Sequence, residues 1–262
     1  MIEKLHKKTL FLALGILSLF STTLEAQSPF DYEGLDALLS EHVVPLKGST
    51  RVKYKKLKSN SAKLIAVTQQ FSAINKEDFQ QWPEAERLAF LINAYNIFTL
   101  QLIVNHYPVE SIRDIGGLFS SPWKKRFFTL LGEKMHLDQI EHEIIRVEYK
   151  EDRIHFAVNC ASIGCPPLQP VAFKGATLDT QLEDASKAFL QNKDFNYFDP
   201  KKMEWKLSSI FKWYGDDFGS EEQLKEKIYQ WMGLKPAETP KKAAIKADID
   251  YLDYDWNLNE AP

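Results

Sequence analysis

Between Trp82-Pro83 and Pro108 the segment Leu88–Val104 is almost wholly apolar. Proline suits the first turn of a helix and cannot continue one, so the two prolines frame a helix running to about Asn105. Glu84 and Glu86 fall in its first turn, where negative charge favours the helix dipole. A helix this apolar must be enclosed, either by lipid or by the rest of the chain. Asn93, Asn96 and Gln101 interrupt it, which favours a helix buried in protein over a membrane span. Wrapping such a helix takes a sizeable core, and 262 residues with 44% hydrophobic content can supply one.

At about 100° per residue, Asn93 and Asn96 share a face with Ala89, Leu100 and Ile103, while Glu84, Arg87 and Gln101 mark the wet side. Two amides inside an apolar face are costly unless hydrogen-bonded. They are read here as candidate substrate-binding groups, with the tying down of a buried loop's backbone as the other reading.

The chain begins with Lys4, Lys7 and Lys8, then an apolar run from Leu10 to Phe20, then polar residues and Leu24-Glu25-Ala26. That order reads as a signal peptide cut after Ala26, its apolar run too short to span a bilayer, with an uncleaved membrane anchor as the other reading. The mature chain, starting at Gln27, has 236 residues and a net charge of −4 (30 Lys and Arg against 34 Asp and Glu). Export to the periplasm or beyond is expected, with no membrane span after cleavage. The two cysteines then meet an oxidising compartment. The acidic balance argues against nucleic acid as a partner, and the basic stretch Arg51–Lys56 reads as a solvated surface turn.

Periodicity predicts helices over Asp31–Leu46, Ser61–Phe71, Lys76–Gln81, Asp138–Val147, Leu178–Leu190 and Glu221–Met232. Phe127–Leu131 and Lys134–Leu137 flank Gly132-Glu133 as a hairpin. Strands are expected at Arg153–Cys160, where apolar and polar residues alternate, and around Met203–Leu207 and Ile245–Leu252. Pro236–Lys242 is the loosest stretch. With no repeat and no long linker, residues 27–262 read as one α+β domain, helix-rich with a small, mostly antiparallel sheet.

Glu141 falls within the apolar stripe of the Asp138–Val147 helix. As a buried carboxylate it either serves chemistry or closes a capping box with Asp138. The helix returns about 8–9 Å from Glu141 to its end, and about three residues of an antiparallel strand recover that rise. This places Glu141 level with His155, as the orienting carboxylate and base of a triad or as a structural pair.

The nucleophile of such a set is Cys160 or Cys165, in Cys160-Ala-Ser-Ile-Gly-Cys165. Along an extended strand Cys160 lies about 16 Å from His155 and reaches it only if the strand curls. The two cysteines also suit a disulfide, which is not nucleophilic, or a weak zinc set with His142 and His155. No phosphate loop, G-x-S-x-G or H-E-x-x-H motif occurs, so neither a cofactor nor a metal is expected.

The segments Ala89–Asn96, Ser111-Ile112, Leu137–His142, Arg153–Leu168, Phe211–Tyr214 and Tyr254–Asn259 together resemble the family of domain of unknown function 547, with core motifs over about residues 70–191. Leu91 departs from the pattern, which often has Trp there; the change touches packing. The resemblance implies that Asn93, Asn96, Glu141, His142, His155, Cys160 and Cys165 stand on motif positions. A papain- or transglutaminase-like fold follows only by analogy with such a Cys/His/Glu set. The leading expectation is an exported cysteine-dependent hydrolase or acyl transferase. The alternative is a non-catalytic envelope module, its cysteines bridged, contacting a peptide or glycan through aromatics such as Trp213, Tyr214 and Trp256.

Overall fold

The computed structural model describes residues 28–117 and 120–262, so the leader read at 1–26 lies outside the described residues. Helix α1 (Glu33–His42) is followed by a hairpin of β1 (Val43–Leu46) and β2 (Ser49–Val52). The expected helix to Leu46 therefore stops early. Val43-Val44-Pro45 favours extended backbone, and Lys47-Gly48, both at positive φ, forms the two-residue turn that twisted hairpins prefer. The basic stretch is likewise not a turn. Arg51 and Val52 end β2, and buried Tyr54 opens α2 (Tyr54–Ser59).

Helices α3 (Ala62–Ser72) and α4 (Lys76–Gln80) lead to α5 (Glu84–His106). In α5 the most apolar window is 89% buried inside the fold, which makes it the core helix its asparagines announced. Phe30, Phe71, Phe79 and Trp82 gather around its Phe90, and Phe98 stacks on Phe128 with ring centres 3.9 Å apart. Strands β3 (Phe128–Leu130) and β4 (Glu133–Met135) form the expected hairpin, but it turns at Leu131-Gly132, one residue earlier than expected, with Glu133 already paired to Leu130.

The predicted Asp138–Val147 helix is a π-helix over Gln139–Ile145, continued by one turn of α6 (Arg146–Glu148). Asp138 makes no side-chain cap there. The predicted strand Arg153–Cys160 is instead a 3-10 turn, Asp152–Phe156, followed by a loop. Its alternation misled because both sets of side chains are buried. Ile154, Ala157 and Val158 join the core around α5. Phe156 joins a second core with Phe189, Trp205, Phe211, Phe218 and Trp231.

That second core is built from α7 (Leu178–Leu190), a three-stranded sheet and three later helices. Strand β6 (Glu204–Ser208) pairs antiparallel with β5 (Tyr197–Asp199) and parallel with β7 (Asp248–Leu252). Helices α8 (Ile210–Trp213) and α9 (Glu221–Trp231) precede α10 (Lys241–Lys246), which begins in the stretch read as loosest. The architecture is a helix-rich α+β fold with small, mostly antiparallel sheets. After β7 the tail crosses back over residues 161–164, with Ile163, Gly164 and Asn259 N–H groups donating to Asn257, Asp255 and Ala161 carbonyls. That tail forms one rim of the site.

Candidate functional site

The largest concentration of polar motif residues is at a cleft of about 310 Å³. Elements distant in sequence line it: Tyr95 of α5, Asp138 and Glu141 with His142 of the π-helix region, His155, the Cys160–Cys165 loop, Trp213 and Tyr214 beside α8, and Tyr254 and Trp256 of the tail. The asparagines explain how the loop is held. Asn96 donates to the Ala157 carbonyl (2.9 Å) and accepts from the Asn159 N–H (2.8 Å). Asn93 does the same for Phe173, at 2.7 and 3.0 Å. Both amides bond to backbone and hold two loops against α5, the second of the two roles open to them, and neither lines the cleft. Asn159 extends the network by donating to the Pro166 carbonyl (2.8 Å) and accepting from the Ala161 N–H (2.9 Å). Ala161 is at φ 63, a left-handed conformation uncommon without glycine, and the Asn159 acceptor holds it there.

Cys160 and Cys165 are joined as a disulfide, their Cα atoms 6.3 Å apart. Of the three possibilities open to the pair, this is the one the structure contains, so neither sulfur is a free nucleophile in this state. Cys165 is 2% exposed, whereas Cys160 is only partly buried. The Tyr254 hydroxyl lies 3.1 Å from each sulfur, and the Cys160 backbone N–H donates to the Cys165 sulfur at 3.0 Å. Burial pushes the Tyr254 phenol well above its ordinary pKa, so it stays an O–H donor. The zinc alternative is not assembled: among the described residues no three His, Cys, Asp or Glu side chains converge as a metal site.

His155 is buried, but its hydrogen-bond partner is Asp217, not Glu141: Nε2 lies 2.6 Å from the Asp217 Oδ2. The expected Glu141–His155 pairing assumed a strand, and the 3-10 turn destroys that register. Asp217 arrives instead on the Gly215–Phe218 turn, because Phe211 and Phe218 pack against Phe156 next to His155. Arg146 grips the same carboxylate with Nε at 2.6 Å and Nη2 at 2.8 Å, and its Nη1 donates to His142 Nδ1 at 3.1 Å. His155 first, and then Arg146, hold Asp217 well below the usual carboxylate range. The His155 ring stacks on Tyr214 with centres 4.1 Å apart, and its buried Nδ1 has no hydrogen-bond partner among the described residues. The one sequence signal for Asp217 is an acidic pair, Asp216-Asp217, in an otherwise aromatic stretch just after the Phe211–Tyr214 motif.

Glu141 is buried, as its place in the apolar stripe predicts, and faces the phenols of Tyr95 and Tyr214. Burial and then the Glu141 charge push both hydroxyls above the ordinary tyrosine range, which keeps both phenols protonated beside the carboxylate. Opposite lies an aromatic wall. Tyr254 and Trp256 are 4.5 Å apart, Trp213 lies 4.8 Å from Tyr254 and 5.6 Å from Trp256, and Trp123 meets Trp256 edge-on at 5.9 Å.

These features define an α+β protein with an aromatic-walled cleft that carries a disulfide, a buried carboxylate and a His–Asp–Arg network. Residues 79–190 match the model of the family described as "Protein of unknown function, DUF547", and that region belongs to the family. No curated protein and no solved structure matches the chain. The matched region holds α5, the π-helix, His155, the disulfide loop and α7, whereas Asp217 and the rings at 213, 214, 254 and 256 lie beyond it.

Proposed function

We propose that the chain is an exported binding protein of the cell envelope, periplasmic or secreted, whose cleft takes a short stretch of peptide or glycan. One observation carries this reading. A closed disulfide and a set of indole and phenol rings line a single cleft with two carboxylates, at a volume near the lower end of ligand sites (about 300 Å³). Rings of this kind offer flat apolar surface at little entropic cost, and they suit the C–H face of a sugar or the side chains of a peptide. Asp138 and Glu141 accept hydrogen bonds from ligand hydroxyl or ammonium groups.

Tryptophan fluorescence titrations with amino-sugar oligomers and short basic peptides test the reading. Saturable binding weakened at least about tenfold in Trp213→Ala and in Trp256→Ala is expected, on the scale of interface aromatic anchors. Binding unchanged in both variants sinks it.

The His155–Asp217 pair favours a second reading, a cysteine-dependent hydrolase or acyl transferase working in the reduced state. Here Cys160 is the nucleophile, His155 the base and Asp217 its orienting carboxylate. The unpartnered Nδ1 of His155 supports it. Iodoacetamide separates the two. Fast, selective alkylation of one cysteine in folded protein after mild reduction, together with ester hydrolysis that appears on reduction and is lost in His155→Ala, favours the enzyme; slow alkylation and no hydrolysis in reduced protein, with ligand binding retained, favours the module.

A further inference from the structure

The bridge is placed more like a reactive group than a structural staple. It lines the cleft, one sulfur is more accessible than the other, the less accessible one accepts a backbone N–H, and a phenol O–H stands within reach of both. Thiol–disulfide exchange goes faster when the leaving thiolate is stabilised, and a buried thiolate with no donors would be a poor leaving group. The Cys165 sulfur alone accepts the Cys160 N–H, at 3.0 Å, and the Tyr254 O–H, 3.1 Å from both sulfurs of the bridge, can turn to whichever becomes the thiolate. The tail carries Tyr254, and Gly164 lets that tail approach, since a Cβ there would lie 3.0 Å from the Tyr254 ring.

We propose that the Cys160–Cys165 disulfide is a thiol-oxidising centre that exchanges with thiols entering the cleft, attacked at Cys160 and releasing Cys165. An incoming thiolate forms a bond to the Cys160 sulfur. The S–S bond breaks with its electron pair going to Cys165, which leaves as a thiolate stabilised by the Cys160 N–H and the Tyr254 O–H until it takes up a proton. A second thiolate then attacks the incoming sulfur, forming the product disulfide and releasing Cys160. Two thiols are oxidised to one disulfide, the protein bridge is reduced to two thiols, and the two protons from the substrates end on Cys160 and Cys165. The substrate class follows from the charges. Asp138 and Glu141 line the cleft, and among the described residues no lysine or arginine does, so a thiol on a cationic carrier is favoured over one on an anionic carrier. This activity does not depend on which peptide or glycan the cleft binds.

The test uses the full chain with its bridge intact. Cysteamine is the cationic thiol and mercaptoethanesulfonate the anionic one. Exchange is quenched with acid, free thiols are capped with N-ethylmaleimide, and adducts are mapped by mass spectrometry. The expected product carries cysteamine on Cys160 and maleimide on Cys165. Cysteamine should react at least about fivefold faster than the sulfonate, per thiolate. Tyr254→Phe should slow exchange by about fivefold, the effect of one lost hydrogen bond. Adducts chiefly on Cys165, or a bridge that opens only in urea-unfolded protein, overturn the proposal, and neither readout needs a variant. Equal per-thiolate rates for the two probes overturn the assignment to cationic thiols.

Discussion

Replacing Asn96 by alanine tests the claim that this amide holds the site loop rather than a ligand. The side chain is buried on α5 and makes two bonds, one to the Ala157 carbonyl and one from the Asn159 N–H. Its removal strands both backbone groups between the helix and the disulfide loop, where burial leaves little room for water. Each stranded group costs about 1–3 kcal/mol, so the variant should lose about 2–6 kcal/mol of stability. In a chain of this size that lowers Tm by on the order of 10 °C. Urea denaturation followed by circular dichroism measures the loss, with an unchanged m-value showing that the comparison is like for like. The same variant should also loosen the segment from Ala157 to Cys160, seen as faster amide hydrogen exchange there than in α7. A loss below about 1 kcal/mol, or weakened ligand binding at full stability, would refute the structural role.

Asp217→Asn should flatten the acid limb of stability. A depressed carboxylate contributes stability above its unfolded value, about 3.9, and loses it as pH falls through the folded value. The gap between wild type and variant should therefore be full at neutral pH and shrink below about pH 4 in urea titrations; a constant gap contradicts the His155–Asp217–Arg146 network. Replacing Cys160 and Cys165 together by serine opens a short loop, for which the chain-entropy estimate is a loss of about 2 kcal/mol, measured against the oxidised wild type. Gly164→Ala would bring a Cβ to 3.0 Å from the Tyr254 ring and 3.1 Å from the Asp255 nitrogen. The tail must then shift, at about 1–3 kcal/mol, and the emission of Trp213 and Trp256 beside Tyr254 should change. An unaltered spectrum and stability would place the tail elsewhere.

The features legible in advance share a local cause. The prolines around α5, its apolar run and its two asparagines each report on the immediate surroundings of one helix, and burial with both amides bonded to backbone is what the fold shows. The Leu131-Gly132 hairpin and the amphipathic α7 and α9 follow from periodicity in the same way. The segment 153–160 was misread for a reason that is equally physical. Alternation identifies a strand only when one side is wet, and here residues of both sides are buried, Ile154, Ala157 and Val158 in one core and Phe156 in the other.

The sequence by itself determined that the chain encloses a long apolar helix, that Glu141 is buried, and that both cysteines share one loop after His155. Each of these is a matter of neighbours within a few turns of backbone. The tertiary structure decided the partners: Asp217 for His155 across 62 residues, Tyr254 for the two sulfurs across 94 and 89, and Asn259 for Asn159 across 100. Such pairings depend on which apolar faces pack together. A short polar segment carries no local pattern that records where the packing of Phe156 against Phe211 and Phe218 will deliver it.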